Sequence, residues 1–113
     1  ILRTPWGTLR LHRILRADDD RDLHDHPFDF TSLILRGGYT EVRVAGTDPD
    51  GDPEHVARTF RSGDVVRRRA EDLHAIRTVF PGTLTLVVSG THRRQWGYQT
   101  AHGWTYWREY HRV

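Results

Sequence analysis

Hydrophobic and polar residues alternate with a period close to two along much of the chain. In the segment TLRLHRILR (8–16), Leu9 and Leu11 alternate with Arg10 and His12. Successive side chains of a strand point to opposite faces, so this period predicts a half-buried β-strand. No segment carries the longer period of an amphipathic helix of more than about three turns. The pattern therefore predicts an all-β chain.

Further short segments rich in β-branched and aromatic residues follow, separated by turn residues such as Gly37-Gly38 and Pro81-Gly82. The predicted strands are FTSLIL (30–35), YTEVRV (39–44), VARTF (56–60), DVVRRR (64–69), LHAIRTVF (73–80), TLTLVVSG (83–90), RQWGYQ (94–99) and WTYWREY (104–110). The stretch GTDPDGDPE (46–54) is dense in Gly, Pro and Asp, which predicts a surface loop. Many short strands at such spacing predict an antiparallel sandwich or barrel.

Composition narrows the classes of function. The chain has 17 basic residues, all arginine, and 15 acidic ones, a formal net charge of +2. That excess is too small to favour nucleic acid as a partner, and no apolar run is long enough to span a membrane. Without cysteine, any metal must be held by His, Asp, Glu or water. We expect a cytoplasmic protein.

The sequence HDHPFDF (24–30) holds the strongest candidate chemistry. His24 and His26 stand two residues apart, so a strand would point both imidazoles to one face. A third ligand must come from another strand, and His74 is the best candidate. Neutral imidazole suits Fe, Zn, Cu and Ni. Asp25 and Asp72, adjacent or near to these histidines, are candidates for orienting the rings, with an outer face or a turn as the alternative.

The arrangement of these histidines resembles the cupin family. The first cupin motif contains an HxH pair, then a glutamate, and closes with a glycine. His24 and His26 match the pair, and Gly37 or Gly38 stands where the closing glycine is expected. HDHPFDF and the Trp-Gly-aromatic tail also resemble stretches of small bacterial cupins.

The second cupin motif begins with a glycine and ends with a histidine. Gly63 and His74 stand at that separation, although Arg69 replaces the usual proline and Glu71 the usual glycine. The resemblance implies one cupin domain over residues 1–113. It also implies the fold class: all-β, a mostly antiparallel double-stranded β-helix or jelly-roll barrel.

The resemblance further implies a mononuclear metal site built from His24, His26 and His74. The glutamate that many cupins use as a fourth ligand would fall at Phe30 or Thr31, and neither can replace it. Cupins without that carboxylate, such as the thiol dioxygenases, hold ferrous iron with three histidines. The implied cofactor is therefore a divalent metal, Fe(II) first, with Zn, Ni, Cu or Mn as alternatives.

Two carboxylates are candidates for a fourth ligand. Asp29 qualifies if Pro27 distorts the strand, although strict alternation from His26 puts it on the opposite face. Glu41 lies on the adjacent predicted strand. The alternatives are a turn or loop hydrogen bond for Asp29 and a solvated strand position for Glu41.

A substrate pocket is expected beside the histidines. Alternation from His26 predicts a largely apolar wall with one hydroxyl, in which core packing is the alternative role of Phe30 and Ile34. One or two arginines of the run 67–69 would point inward and bind an anionic group, unless the run is a solvated strand. The candidate pocket residues are Phe28, Phe30, Ser32, Tyr39, Arg67 and Arg69.

Three functions follow from these residues. The first is a metal-dependent enzyme, an oxygenase-like cupin acting on a small, anionic molecule. The second is a binding or sensing module with a degenerate metal site. The third is an interaction role for the aromatic tail (95–110), for which a core lid or an oligomer seam is the simpler interpretation. A small molecule is the expected partner, with no nucleic acid and no membrane, and a homodimer is expected. The catalytic residues stay unassigned.

Overall fold

The computed structural model of the chain describes residues 2–18 and 22–111. Residues 1, 19–21 and 112–113 of the predicted single domain lie outside this part. Within it, the chain forms short strands and one short helix: β1 (Leu2–Thr4), β2 (Gly7–Ile14), β3 (Leu23–His24), β4 (Phe30–Arg36), β5 (Gly38–Thr47), β6 (Pro53–Arg61), β7 (Val65–Arg68), β8 (His74–Val79), β9 (Thr83–Ser89), β10 (Gly97–Thr100), β11 (Gly103–Tyr106) and α1 (Trp107–Tyr110).

The described strands form two antiparallel sheets. One has five strands in the order β1-β2-β9-β4-β7, and the other has six in the order β11-β10-β3-β8-β5-β6. The all-β, antiparallel prediction is confirmed. The two sheets stay separate, so the molecule has the double-stranded β-helix architecture without the closed barrel that the sequence suggested.

The alternation seen in the sequence sets which side chains lie between the sheets. On β9, Thr85 lies opposite His12 of β2 on one side and Ile34 of β4 on the other. Directly opposite residues of an antiparallel pair share a face, so these three side chains point the same way. Thr85 and Ile34 are both fully buried, which identifies this face as the inner one.

The inner faces enclose a small apolar core. Ile34, Tyr39, Phe60 and Val66 pack together, with partly buried aliphatic side chains against them. Apart from this cluster, many buried positions are polar, including hydroxyls on β9 and the carboxylate of Glu41. Much of the interior is therefore arranged around polar groups, which must be hydrogen-bonded to be stable there.

The C-terminal segment departs from the predicted strand 104–110. Strand β11 ends at Tyr106, and 107–110 forms one helical turn. In that turn the ring of Trp107 stacks on Trp96, with centroids 5.7 Å apart, and Tyr110 stacks on Tyr98 at 3.8 Å. Residues three apart share a helix face, so both stacks form against the segment 96–98 at once. A strand would turn one of the two rings away.

No helix within residues 2–18 and 22–111 is long and apolar enough to cross a membrane.

Gly37, between β4 and β5, has no room for a side chain. Its φ is +75°, and a Cβ there would lie 2.8 Å from Thr83 Cα. Gly82 has nearly the same φ, +74°, but its Cβ would meet nothing closer than Arg36 Nε at 3.7 Å. Both glycines occupy the left-handed region of φ, so they differ only in the room available for a side chain.

We expect Gly82→Ala to lower the free energy of unfolding by about 1–2 kcal/mol, the cost of the left-handed conformation. Gly37→Ala should lose roughly 1–3 kcal/mol more, because its methyl group overpacks against Thr83. Urea unfolding of the two variants measures the difference. Equal losses would show that the backbone conformation alone decides both.

Candidate metal centre

Three histidines are brought together by two short strands and a loop. His24 ends β3 and lies directly opposite His74, the first residue of β8. His26 lies beyond the end of β3, where its backbone N–H donates to Ala70 O at 2.9 Å. The predicted strand through both histidines is thus only half correct. His26 still faces the same point because the loop backbone is held by this hydrogen bond.

The three rings converge closely. The ring centroid of His24 lies 5.1 Å from that of His26 and 4.9 Å from that of His74. The centroids of His26 and His74 are 4.8 Å apart. One nitrogen from each ring can be chosen so that all three lie within 4.8 Å of one another. In the described part of the chain, these three histidines are the one group of His, Asp or Glu side chains close enough together to hold a metal ion.

Two buried nitrogens of this group fit a metal. His26 Nδ1 and His74 Nε2 are buried and have no hydrogen-bond partner within the described structure. An unpartnered buried polar atom is costly, and a coordinated cation would satisfy a ring nitrogen of this kind. Burial, together with the neighbouring rings of His74 and His24, lowers the pKa of His26 to about 3. The ring is therefore neutral near pH 7, as a ligand must be.

Glu41 orients one of the rings. Its carboxylate is 1% exposed, and Oε2 lies 2.7 Å from His74 Nδ1. Arg68 donates to the same carboxylate through Nε, at 3.0 Å, and through its second guanidinium nitrogen. Burial alone would raise the pKa of Glu41, but the hydrogen bonds from His74 and Arg68 prevail and lower it to about 2.

An ionised carboxylate accepts hydrogen bonds only, so His74 Nδ1 carries the proton. The lone pair of His74 is then on Nε2, the nitrogen without a partner. Glu41, a candidate fourth ligand in the sequence, lies outside the three-histidine group and acts through His74 instead. It is also not the solvated strand residue that the sequence offered as the alternative.

Asp29 also lies outside the group. Its Oδ1 accepts hydrogen bonds from the Ala70 N–H and from Arg93, both at 2.8 Å, and its side chain is 55% exposed. The hydrogen bond from Arg93 lowers the pKa of Asp29. This is the loop hydrogen bond that the sequence gave as the alternative role.

The two aspartates expected to orient the rings support the backbone. Asp25, nearly fully buried, accepts hydrogen bonds from the Gly97 N–H at 2.7 Å and from Trp104 Nε1 at 2.9 Å. Asp72 accepts the Arg69 N–H at 2.7 Å. Among these carboxylates, Glu41 is the one that orients a histidine ring, that of His74. No spacing in the sequence links these two residues.

A cavity of about 440 Å³ opens beside the three rings. Four of the six predicted pocket residues line it, namely Phe28, Phe30, Ser32 and Tyr39. Burial raises the pKa of Tyr39 to about 12, so its hydroxyl stays protonated and can donate. The wall combines aromatic rings with hydroxyls, as in many small-molecule sites.

The other two predicted pocket residues lie elsewhere. Arg67 and Arg69 line a separate surface cleft of about 640 Å³, together with Asp29 and Asp72. Successive residues of β7 alternate, so Arg68 points inward to Glu41 and Arg67 points outward, while Arg69 follows the end of the strand. One arginine of the run 67–69 therefore points inward, as expected, and it is Arg68. Once the inner face of β7 is known, alternation along the strand assigns Arg68 to it.

We expect metal-free protein to lose stability as the pH falls from about 6.5 towards 3. Below its ordinary pKa of 6.5, His26 takes up a proton in the unfolded chain, whereas the folded chain holds it neutral down to about pH 3. The loss from this group between pH 7 and pH 5 is roughly 2 kcal/mol.

Urea unfolding with a chelator at pH 7 and pH 5 measures this loss. His26→Gln should remove most of it, and the exposed His102→Gln should keep the wild-type dependence. The same dependence in His26→Gln and wild type would show that other groups cause it.

Comparison with known proteins bears on the fold. The sequence matches no protein-family model and no curated protein. Among solved structures, a candidate mannose-6-phosphate isomerase of Ralstonia eutropha JMP134 is similar, with a TM-score of 0.61 and 19% identity over 80% of this chain and 79% of that one. An uncharacterised protein of Klebsiella pneumoniae subsp. pneumoniae MGH 78578 with a double-stranded β-helix domain has a TM-score of 0.54 and 14% identity, over 87% and 78%.

At these identities the likeness concerns the fold alone. The chain has the cupin-type double-stranded β-helix fold.

Proposed function

We propose that the protein binds one divalent metal ion through His24, His26 and His74. The observation that carries this proposal is the convergence of three imidazoles, two of which, His26 and His74, have a buried nitrogen without a hydrogen-bond partner in the described structure. Three neutral nitrogen ligands without a thiolate suit Fe(II), which we propose first. Zn, Ni, Cu and Mn are compatible with the same donors.

We further propose that the protein is an enzyme of the non-haem iron oxygenase type, or a related metal-dependent enzyme, acting on a small molecule. The metal would supply Lewis-acid or redox chemistry when bound. The chain's own residues would place the substrate: Phe28 and Phe30 exclude water, and the Ser32 and Tyr39 hydroxyls lie where they can hydrogen-bond a polar group. The ion pair of Glu41 with Arg68 keeps the His74 ring in one orientation.

A second candidate is a binding or sensing module without turnover. It is favoured by the carboxylates around the cavity, which both have other partners. Glu41 is engaged by Arg68 and His74, and Asp18 accepts the Ile76 N–H at 2.7 Å. Glu41 is therefore committed to these partners, and no second carboxylate of the described residues stands beside Asp18 to form an acid–base pair.

Several expectations from the sequence continue as proposals: a small molecule as the partner, no nucleic acid, no membrane, and a cytoplasmic location. The same holds for a homodimer. Exposed apolar side chains on the outer face of the five-stranded sheet support it, with Leu11 at 61% and Val88 at 54% exposure. The organisation as one domain over residues 1–113 stays a prediction.

Metal analysis of protein purified without a His-tag or chelating resin should find one equivalent of metal per chain. We expect His24→Ala and His74→Ala to lose stoichiometric binding, because two imidazoles hold a divalent ion weakly. His102→Ala, exposed in the turn after β10, should keep it. Circular dichroism checks that each variant folds. Full stoichiometry in both site variants would rule out this assignment.

In the same metal titration, Glu41→Gln should still bind one equivalent, with an affinity about 10–100-fold lower. The neutral amide no longer holds His74 Nδ1 and Arg68 as a charged acceptor does. Asp72→Asn is the matched control, because Asp72 bonds the Arg69 backbone rather than a ring. Its metal affinity should not change.

Dioxygen uptake distinguishes the two functions. Anaerobically iron-loaded protein is mixed with a panel of thiols and small acids, and uptake above the rate without substrate supports the oxygenase. No uptake with any compound, together with ligand-induced stabilisation of the metal-free protein, supports the binding module.

A further inference from the structure

The inner face of β2 carries basic side chains opposite the histidine centre. On β9, Val87 lies opposite Arg10 of β2 and Ser32 of β4. Arg10 therefore shares a face with Ser32, as His12 does with Ile34. That face looks into the space between the sheets, and both Arg10 and His12 line the 440 Å³ cavity. We call Arg10, His12 and Arg16, which also lines the cavity, the basic rim.

The charge of the cavity wall is unbalanced. Among the described residues that line it, β2 contributes two arginines, Arg10 and Arg13, against one aspartate, Asp18. The aspartate is already held by the Ile76 N–H. The cavity wall is thus net positive, although the whole chain carries a formal charge of only +2.

Arg10 differs from the arginines that the fold uses. Arg68, Arg93 and Arg94 are each paired with a carboxylate. Across residues 2–18 and 22–111, Arg10 has no ion pair, and the residue opposite it is the apolar Val87. An arginine on an inner face, at a cavity and without a counter-ion, is a ready site for an anion.

We propose that the basic rim binds the anionic end of the ligand, so that the cavity takes small molecules with a carboxylate or phosphoryl group. This inference rests on the proposed function and adds the class of ligand. Arg10 supplies a two-pronged donor at the mouth, and Phe28 and Phe30 contact a short apolar body. The opposite end of the molecule then reaches the three histidines.

The geometry also excludes the arginines that the sequence pointed to. Arg67, on the outer face of β7, and Arg69, the residue after this strand, lie in a cleft whose wall contains the carboxylates of Asp29 and Asp72. These carboxylates offset the positive charge there and repel an anion. The anion-binding role therefore belongs to β2, on the other side of the same sheet.

The test uses metal-free protein and calorimetric titration with butyrate, propyl phosphate and uncharged 1-butanol. Wild type should bind at least one of the anions more tightly than the alcohol, and the better one identifies a carboxylate or phosphoryl preference. Arg10→Gln should weaken that anion about tenfold or more, with little effect on 1-butanol. Arg67→Gln, the matched control from the outer cleft, should bind as wild type does.

Two results would overturn the inference. If neither anion binds more tightly than 1-butanol, the cavity does not select anionic ligands. If wild type and Arg10→Gln bind the anion equally well, Arg10 is not the residue that holds it. After the titrations, each preparation is reloaded with Fe(II) under anaerobic conditions and its metal uptake is measured. If the protein binds one equivalent of metal but shows no preference for the anion, the basic rim is contradicted and the metal site is not. If the protein prefers the anion but takes up no metal, the metal site is contradicted and the basic rim is not.

Discussion

The buried carboxylate of Glu41 is the interaction on which the arrangement of the centre depends. It lies on β5 of the six-stranded sheet and is bonded by Arg68 of β7 in the five-stranded sheet and by His74 of β8. One side chain thus links the two sheets and sets the orientation of a ring. A charge at 1% exposure is tolerated only with such partners, so removing one of them leaves an uncompensated buried charge.

The HDH segment is held from its other side by the C-terminal strands. Between two inward imidazoles, Asp25 points the opposite way and accepts hydrogen bonds from the Gly97 N–H and Trp104 Nε1. Arg94 adds an ion pair to the same carboxylate. The aromatic tail therefore contributes to the centre indirectly, by fixing the backbone that carries His24 and His26. Its stacked rings serve the same packing and need no ligand to explain them.

The five-stranded sheet separates two populations of arginine. Those on its inner face either pair with the buried carboxylate, as Arg68 does, or face the cavity, as Arg10 does. Arg67, on its outer face, lies in a cleft with carboxylates. Imidazole ligands, unlike carboxylates, add no negative charge to the cavity. The centre and the net positive wall are therefore compatible with one anionic ligand that reaches both.

The sequence by itself determined most of the strands, the antiparallel class and the three candidate ligands, because alternation and residue type are local properties of the chain. His24 and His26 could be paired from their spacing, and His74 from a motif. Only the tertiary structure decided the roles of Glu41, Arg68 and Arg10. Each depends on which strands become neighbours and in what register, and one residue of register sends a side chain to the opposite face. The turn at 107–110 was decided in the same way, by stacking on rings that lie in a different strand and the loop before it.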